Sequence, residues 1–352
     1  MKRLRDAGAI VTGSANMDEM GMGSFGLYGY EGKAVKNPID EDHFAGGSSA
    51  GSAVITKSYQ ALGALGTDTG GSVNYPAHCC GLFSMKPSFG RISRFGQILY
   101  SSSNETTGPF GHSMNDVHAF FGKSDQPFLI KFSPRSNFVI AFNVDIMQGE
   151  DQHDSNCFDF AQMHKIRDIQ RMTNREIDSP GLLEGLRVGI VDEFNIEELD
   201  ERNRNIQELT IQMLKDKGAI IKRMQVPLMK YCLPFYFTLI PAEAATNLSR
   251  FDGLKYGHQP DFQDGEDLFD YVTRVRSETF GLNVKRRCML GNFLLSSKFE
   301  KYNEKVRQAQ KVRRMLISQW CKEMEDKEID VVISPTTIGE EPTRIADVVG
   351  AP

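Results

Sequence analysis

Two serines set in glycine-rich runs are the residues best placed to do chemistry. Ser48 lies in Gly46-Gly47-Ser48-Ser49-Ala50-Gly51-Ser52, and Ser72 closes Thr69-Gly70-Gly71-Ser72, 24 positions later. Small residues at this density let the backbone approach a ligand and leave amide N–H groups unshielded. A turn such as 69–72 can aim several N–H groups at one point, as an oxyanion hole in acyl transfer requires. A serine at the end of that turn could be the nucleophile, and it would need a base within hydrogen-bond reach. The same runs also fit two plain tight turns, or a phosphate-binding nest. A P-loop is disfavoured because no Gly-Lys-Ser/Thr follows at the required spacing. A G-x-S-x-G elbow is poorly matched, since Val73-Asn74-Tyr75 follow Ser72. His43, His78 and His112 are available as triad bases, although a lone histidine is more often structural.

These turns need elements to hold them. Residues 48–55 read as a loop running into a helix, and 61–66 as a buried strand ending in the tight turn at 67–72. Residues 1–8 read as the last turns of an amphipathic helix ending at Gly8, followed by a strand Ala9-Ile10-Val11. Further on, 186–191 reads as a strand and 203–217 as a helix. Ile206, Leu209, Met213 and Leu214 are expected on its buried side, and Gly218 supplies its stop. A strand at 219–221, long helical stretches over 284–325 and a strand at 330–335 closed by Pro335 complete the pattern. Alternating strands and helices predict an α/β layered fold. Residues 122–138 lack a clear period, and 150–180 are polar and loop-like.

The length of 352 residues allows about two domains or one large one. With 41 Lys plus Arg against 46 Asp plus Glu, the net charge is −5, so any RNA role is expected to run through a partner. The six cysteines form no C-x-x-C pair, which predicts free thiols in a reducing compartment and no structural zinc. No run approaches the roughly 18–20 apolar residues that span a bilayer. The N-terminus has no apolar signal core.

Taken together, 46–52, Leu65-Gly66-Thr67-Asp68-Thr69-Gly70-Gly71-Ser72, Pro76-Ala77-His78-Cys79-Cys80-Gly81 and Met85-Lys86-Pro87-Ser88-Phe89-Gly90-Arg91 resemble the amidase signature family. The resemblance implies an α/β fold: one large domain over 1–352, with a mixed sheet core covered by helices on both sides. It implies a Ser-Ser-Lys unit. Ser72 matches the nucleophile, and Ser48 matches the bridging serine that sits at an unusual cis peptide and passes the proton. Thr69, Gly70, Gly71 and Ser72 match the oxyanion-hole backbone.

Within the family, Asn16-Met17-Asp18-Glu19-Met20-Gly21-Met22-Gly23-Ser24 is similar to the glutamine-hydrolysing subunits of tRNA-dependent amidotransferases. So are 242–257, Val284 to Gly291 and Lys311-Val312-Arg313-Arg314, and the wording is nearest the mitochondrial forms. This branch implies glutamine as substrate, with a Tyr236 hydroxyl contact and Arg287 on the carboxylate. A planar guanidinium can take a carboxylate bidentately. Met22 and Ser24 are candidate pocket residues with packing as the equal alternative. The ammonia would pass to a B subunit, which uses ATP and Mg²⁺ to convert Glu-tRNA(Gln) to Gln-tRNA(Gln), with a small C subunit bracing the pair. No cofactor or metal is implied in this chain, no membrane is expected, and the location implied is the mitochondrial matrix.

The pattern has departures. No lysine here matches the family's catalytic one, since Lys57 and Lys86 sit outside that motif, and Ala50 replaces the usual glycine of the first loop. The expectation is that the chain is part of a larger protein or an unusual isoform, incomplete at both ends, with 122–142 an insertion. A free-standing amidase for another small amide, or an inactive scaffold subunit, are the alternatives.

Overall fold

The computed structural model describes residues 1–29, 33–121, 128–131, 139–142, 147, 150–157, 181, 183–296 and 302–339. They fall into two compact units. The first holds the described residues of Met1–Gln162 and Thr246–Arg287, and the second those of Met163–Ala245 and Cys288–Glu341.

The first unit begins with α1 (Lys2–Asp6), followed by α2 (Ala50–Lys57), β1 (Ala64–Asp68), α3 (Asn74–Cys79), β2 (Phe83–Ser84), β3 (Thr106–Gly111) and α4 (Met114–Phe121). The strands form an antiparallel sheet in the order β1-β3-β2, with Thr67 opposite Thr107 and Asp68 opposite Thr106. One edge of β1 pairs with β3. On the other, hydroxyls of the serine-rich run take the place of a strand. Ser52 Oγ donates to the Leu65 carbonyl at 2.8 Å, and Ser49 Oγ accepts from the Thr67 amide at 3.1 Å and donates to the Thr67 carbonyl at 3.2 Å. Backbone groups that would otherwise be buried unpaired are thereby satisfied. Beneath them Ala45, Ala50, Ala53, Val73, Ala77, Cys80 and Phe110 form a closed apolar cluster. Ala50, at the position of the family's usual glycine, is fully buried there.

Two further strands, β4 (Phe128–Lys131) and β5 (Val139–Phe142), pair antiparallel. Residues 122–127, 132–138 and 143–146 lie outside the described residues, as do 158–180. Of the expected insertion, 122–142, only β4 and β5 are described; its other residues lie outside the described residues. The first unit also contains α7 (Leu268–Thr279), capped by the Asp267 carboxylate on the Asp270 amide, and α8 (Leu282–Leu295) as far as Arg287.

The second unit is a parallel sheet of β6 (Arg187–Val191), β7 (Ile220–Met224) and β8 (Val331–Ile333) in the order β7-β6-β8. Its elements include α5 (Glu201–Asp216), α6 (Cys232–Leu248, through Ala245), the rest of α8, and α9 (Tyr302–Asp326). The crossover from β6 to β7 runs through α5, as a parallel pair demands. Val191, Met224, Val226, Leu316 and Ile329 form its core.

Two sequence expectations are corrected. Ala9-Ile10-Val11 is not a strand. Gly8 (φ +92°) ends α1, Ile10 is 90% exposed, and no described strand pairs with the segment. Helix α5 exists, but Ile206, Leu209 and Met213 face outward at 50–65% exposure, and only Leu214 of the four is partly covered. Polar ties orient the helix instead. Asp200 caps it on the Asn203 amide, Asn203 Nδ2 donates to the Thr337 carbonyl, and Arg204 donates to the carbonyls of Ile196 and Leu199. Among the described residues no helix is long and apolar enough to cross a membrane. None of the six cysteines forms a disulfide.

Candidate active site

The turn that carries Ser72 is built by Asp68, the last residue of β1. Asp68 is fully buried. Its Oδ1 accepts from the Gly71 amide at 2.8 Å, and its Oδ2 from the Val73 amide at 2.7 Å. Lys86 Nζ approaches Oδ1 at 2.7 Å and donates to the Thr69 carbonyl at 3.3 Å. One carboxylate and one ammonium thus hold both ends of the turn. Gly71, at φ +115°, occupies backbone space that L side chains rarely adopt. Its amide is committed to Asp68, so of the expected oxyanion donors Gly71 shapes the turn and is not free to receive charge. The amides of Gly70 and Ser72 make no hydrogen bond with any described residue.

The second turn meets the first directly. The Ser49 amide donates to the Ser72 carbonyl at 3.2 Å. The peptide bond between Gly47 and Ser48 is cis. Ser48 is 1% exposed, and its Oγ is buried without a hydrogen-bond partner among the described residues. The chain therefore brings Ser48 and Ser72 onto adjoining turns, with α2 leaving from one and α3 from the other.

Arg287 lies on α8, half-buried between buried Val284 and Cys288. Its positive charge acts on Asp18, fully buried in the first unit. Burial raises the Asp18 carboxyl above the ordinary aspartate range, and the amides of Tyr28, Gly26 and Leu27 and the Arg287 charge oppose that rise. Tyr236 belongs to the second unit, on α6, with its ring edge-to-face against Phe237 at 5.4 Å. Met22 is fully buried and packs, whereas Ser24 is exposed.

The histidines have other work. His112 Nε2 lies 2.7 Å from the Thr56 carbonyl, with its ring stacked on Tyr59. His43 lies 3.0 Å from Asp40, and burial holds His78 below its ordinary pKa. Among the described residues no group of three or more His, Cys, Asp and Glu side chains could hold a metal. Sequence reasoning missed Asp68, Lys86 and Asp18. Asp68 carries a local signal, an Asp three and five residues before the amides it accepts. Lys86 and Asp18 carry none, because their side chains bond to residues eight or more positions away, beyond any turn motif.

A profile of the amidase family matches residues 1–126 and 138–349. The A subunit of the glutamyl-tRNA(Gln) amidotransferase of Halorhodospira halophila is 37% identical over 337 residues, covering 96% of this chain and 61% of that protein. Its counterpart from Alkalilimnicola ehrlichii is 36% identical over 335 residues, covering 95% and 61%. The chain thus spans about three-fifths of the length of these relatives. Among solved structures, the glutamyl-tRNA(Gln) amidotransferase A subunit from Thermotoga maritima superimposes with a TM-score of 0.68 at 26% identity, over 99% of this chain and 62% of that one. A peptide amidase in complex with chymostatin, at 22% identity and a TM-score of 0.65, shares the fold over 97% and 66%.

Proposed function

The chain belongs to the amidase family, and on that premise we propose that it is the glutamine-hydrolysing subunit of a glutamyl-tRNA(Gln) amidotransferase. The observation that carries the reading is the junction of the two serine turns, where the Ser49 amide holds the Ser72 carbonyl and the buried Ser48 hydroxyl has no hydrogen-bond partner among the described residues.

In this reading Ser72 Oγ attacks the side-chain amide carbon of glutamine. Ser48 takes the Ser72 proton and delivers it to the departing nitrogen, so the C–N bond breaks and ammonia leaves a glutamyl ester on Ser72. Water then attacks the ester, and glutamate and the free serine are released. The amides of Thr69, Gly70 and Ser72 stabilise the oxyanion, with Gly71 holding the turn in register through Asp68. A lysine completes the proton relay in the family, and no lysine of this sequence matches it. Arg287 pairs with the substrate carboxylate, and the Tyr236 hydroxyl contacts the substrate.

The reaction of this subunit uses no cofactor. The ammonia goes to a B subunit, which binds ATP and Mg²⁺ and amidates Glu-tRNA(Gln), and a C subunit supports the assembly. The net charge of −5 suits a chain that leaves tRNA binding to its partner. Six cysteines, none of them in a disulfide, suit a reducing compartment, for which the mitochondrial matrix is the proposed location.

The test is Ser72→Ala in the intact protein, purified with its B and C partners and assayed for ammonia released from glutamine. A loss of at least roughly 10⁴-fold is expected. Unchanged release excludes Ser72 as the nucleophile. Full glutamine hydrolysis without the partners would favour a free-standing amidase.

A further inference from the structure

The stretch Asn16–Ser24 is left without a task by the mechanism, yet it touches both halves of the machinery. The Asp18 amide donates to the Ser48 carbonyl at 2.9 Å. The Asp18 carboxylate accepts from the Gly26 amide (Oδ2, 3.1 Å) and the Tyr28 amide (Oδ1, 2.9 Å). It is pressed so closely on the peptide before Ser48 that a Cβ on Gly47 would lie 2.2 Å from Oδ2. The next residue reaches the other way. Both carboxylate oxygens of Glu19 accept from the Gly281 amide, at 3.1 and 2.9 Å. Gly281 immediately precedes α8, which carries Arg287 six residues further on.

We propose that Asp18 and Glu19 are positioning residues that clamp the proton-relaying Ser48 turn to the substrate-binding helix α8. The Asp18 main-chain amide fixes the Ser48 carbonyl, while its carboxylate folds loop 23–28 over the turn and packs against the Gly47 peptide that leads into Ser48. Glu19 fixes the start of α8 and with it the height of Arg287. The two carboxylates are consecutive, so the distance between the relay and the carboxylate-binding arginine is set by one short stretch of backbone. The inference deepens the reading above and rests on its assignment of Ser48 and Arg287.

The division of labour gives a kinetic signature that general loosening would not. Displacing a reacting group by about 1 Å can cost roughly 100-fold in rate. Asp18→Asn keeps the shape that Gly23 and Gly47 enclose but leaves one amide without an acceptor. It should lower kcat for glutamine hydrolysis about 100-fold and leave KM within about threefold. Glu19→Ala should raise KM for glutamine roughly tenfold with kcat within about threefold, and Glu19→Gln, which keeps one acceptor for the Gly281 amide, should restore KM.

The measurement is steady-state ammonia release by the intact protein with its partner subunits, with Ser72→Ala run alongside. The split between the two variants, with rescue by Gln, supports the clamp. Unchanged constants in both, or kcat falling and KM rising in the same proportion in both, overturn it. If Asp18→Asn does not fold, the Glu19 pair decides, and an unaltered KM in Glu19→Ala overturns the proposal. Should Ser72→Ala retain full activity, the underlying reading fails, which is a distinct result from the loss of the clamp alone.

Discussion

Lys86 Nζ sits 2.7 Å from Oδ1 of Asp68, a carboxylate with no solvent exposure whose two oxygens already receive the amides of Gly71 and Val73. The pair joins the segment after β2 to the turn that presents Ser72, and Lys86 keeps a third of its side chain in contact with solvent. A buried carboxylate is held here by three donors, and removing one leaves charge without its counter-ion.

The first expectation follows from that. Lys86→Met keeps the apolar stem and deletes the ammonium, so Asp68 retains two amides but no cation. Unfolding in urea should show a loss of about 2 kcal/mol. Asp68→Asn should cost a similar amount, because an amide group cannot accept both backbone N–H groups on separate oxygens. The double variant should lose about 1 kcal/mol less than the two singles added together. Strict additivity would show that the ion pair does not hold the turn.

Glu105 supplies a pH dependence. It is 2% exposed, and burial pushes its carboxyl from near 4.5 up to about 7, against the amides of Ser101 and Tyr100, the charge of Arg94 and the Gln97 side chain. The folded state therefore keeps the proton after the unfolded chain has released it. The contribution is fully present below about pH 4.5 and is lost as pH rises through about 7. Relative to Glu105→Gln, the wild type should lose about 3 kcal/mol of stability between pH 4 and pH 8. Urea midpoints of both proteins across that range measure it. Parallel pH profiles would mean that Glu105 titrates normally.

In the second unit, Arg187 ties β6 to the residue before β8. Its Nε and Nη2 donate to the two oxygens of Asp330 at 3.0 and 2.8 Å, and its Nη1 donates to Glu328 at 3.0 Å. Both side chains of the main pair are partly open to solvent, so Arg187→Lys is expected to destabilise the sheet only modestly, through loss of the planar fork. Thermal unfolding should fall by a few degrees on that account. An unchanged Tm would show that a point charge serves as well as the fork at this site.

The legible parts of the molecule were those written in contiguous residues. Gly-Gly-Ser and Thr-Gly-Gly-Ser announce turns because small residues and left-handed φ values are properties of single positions. The α/β alternation of residues 186–224 could be read because strand and helix periods are local as well. The element boundaries came close, as with α5 at Glu201–Asp216 against 203–217. Periodicity also grouped Ile206, Leu209 and Met213 on one face. It could not say which way that face turns, because the contacts of Asn203 with Thr337 and of Arg204 with 196–199 decide the rotation of α5.

Tertiary structure alone decided the rest. That the Ser48 and Ser72 turns share a hydrogen bond, and that Lys86 pairs with Asp68, are facts about separate segments meeting in space. Asp18 reaches Ser48 across thirty residues, and Glu19 reaches Gly281 across 262. Such contacts leave no trace in local composition, because a carboxylate has the same sequence appearance whether it faces water or receives two buried amides. Composition and spacing specify which groups exist and which turns can form. Only the packed chain removes water from a group, and that removal turns an ordinary aspartate into a structural anchor.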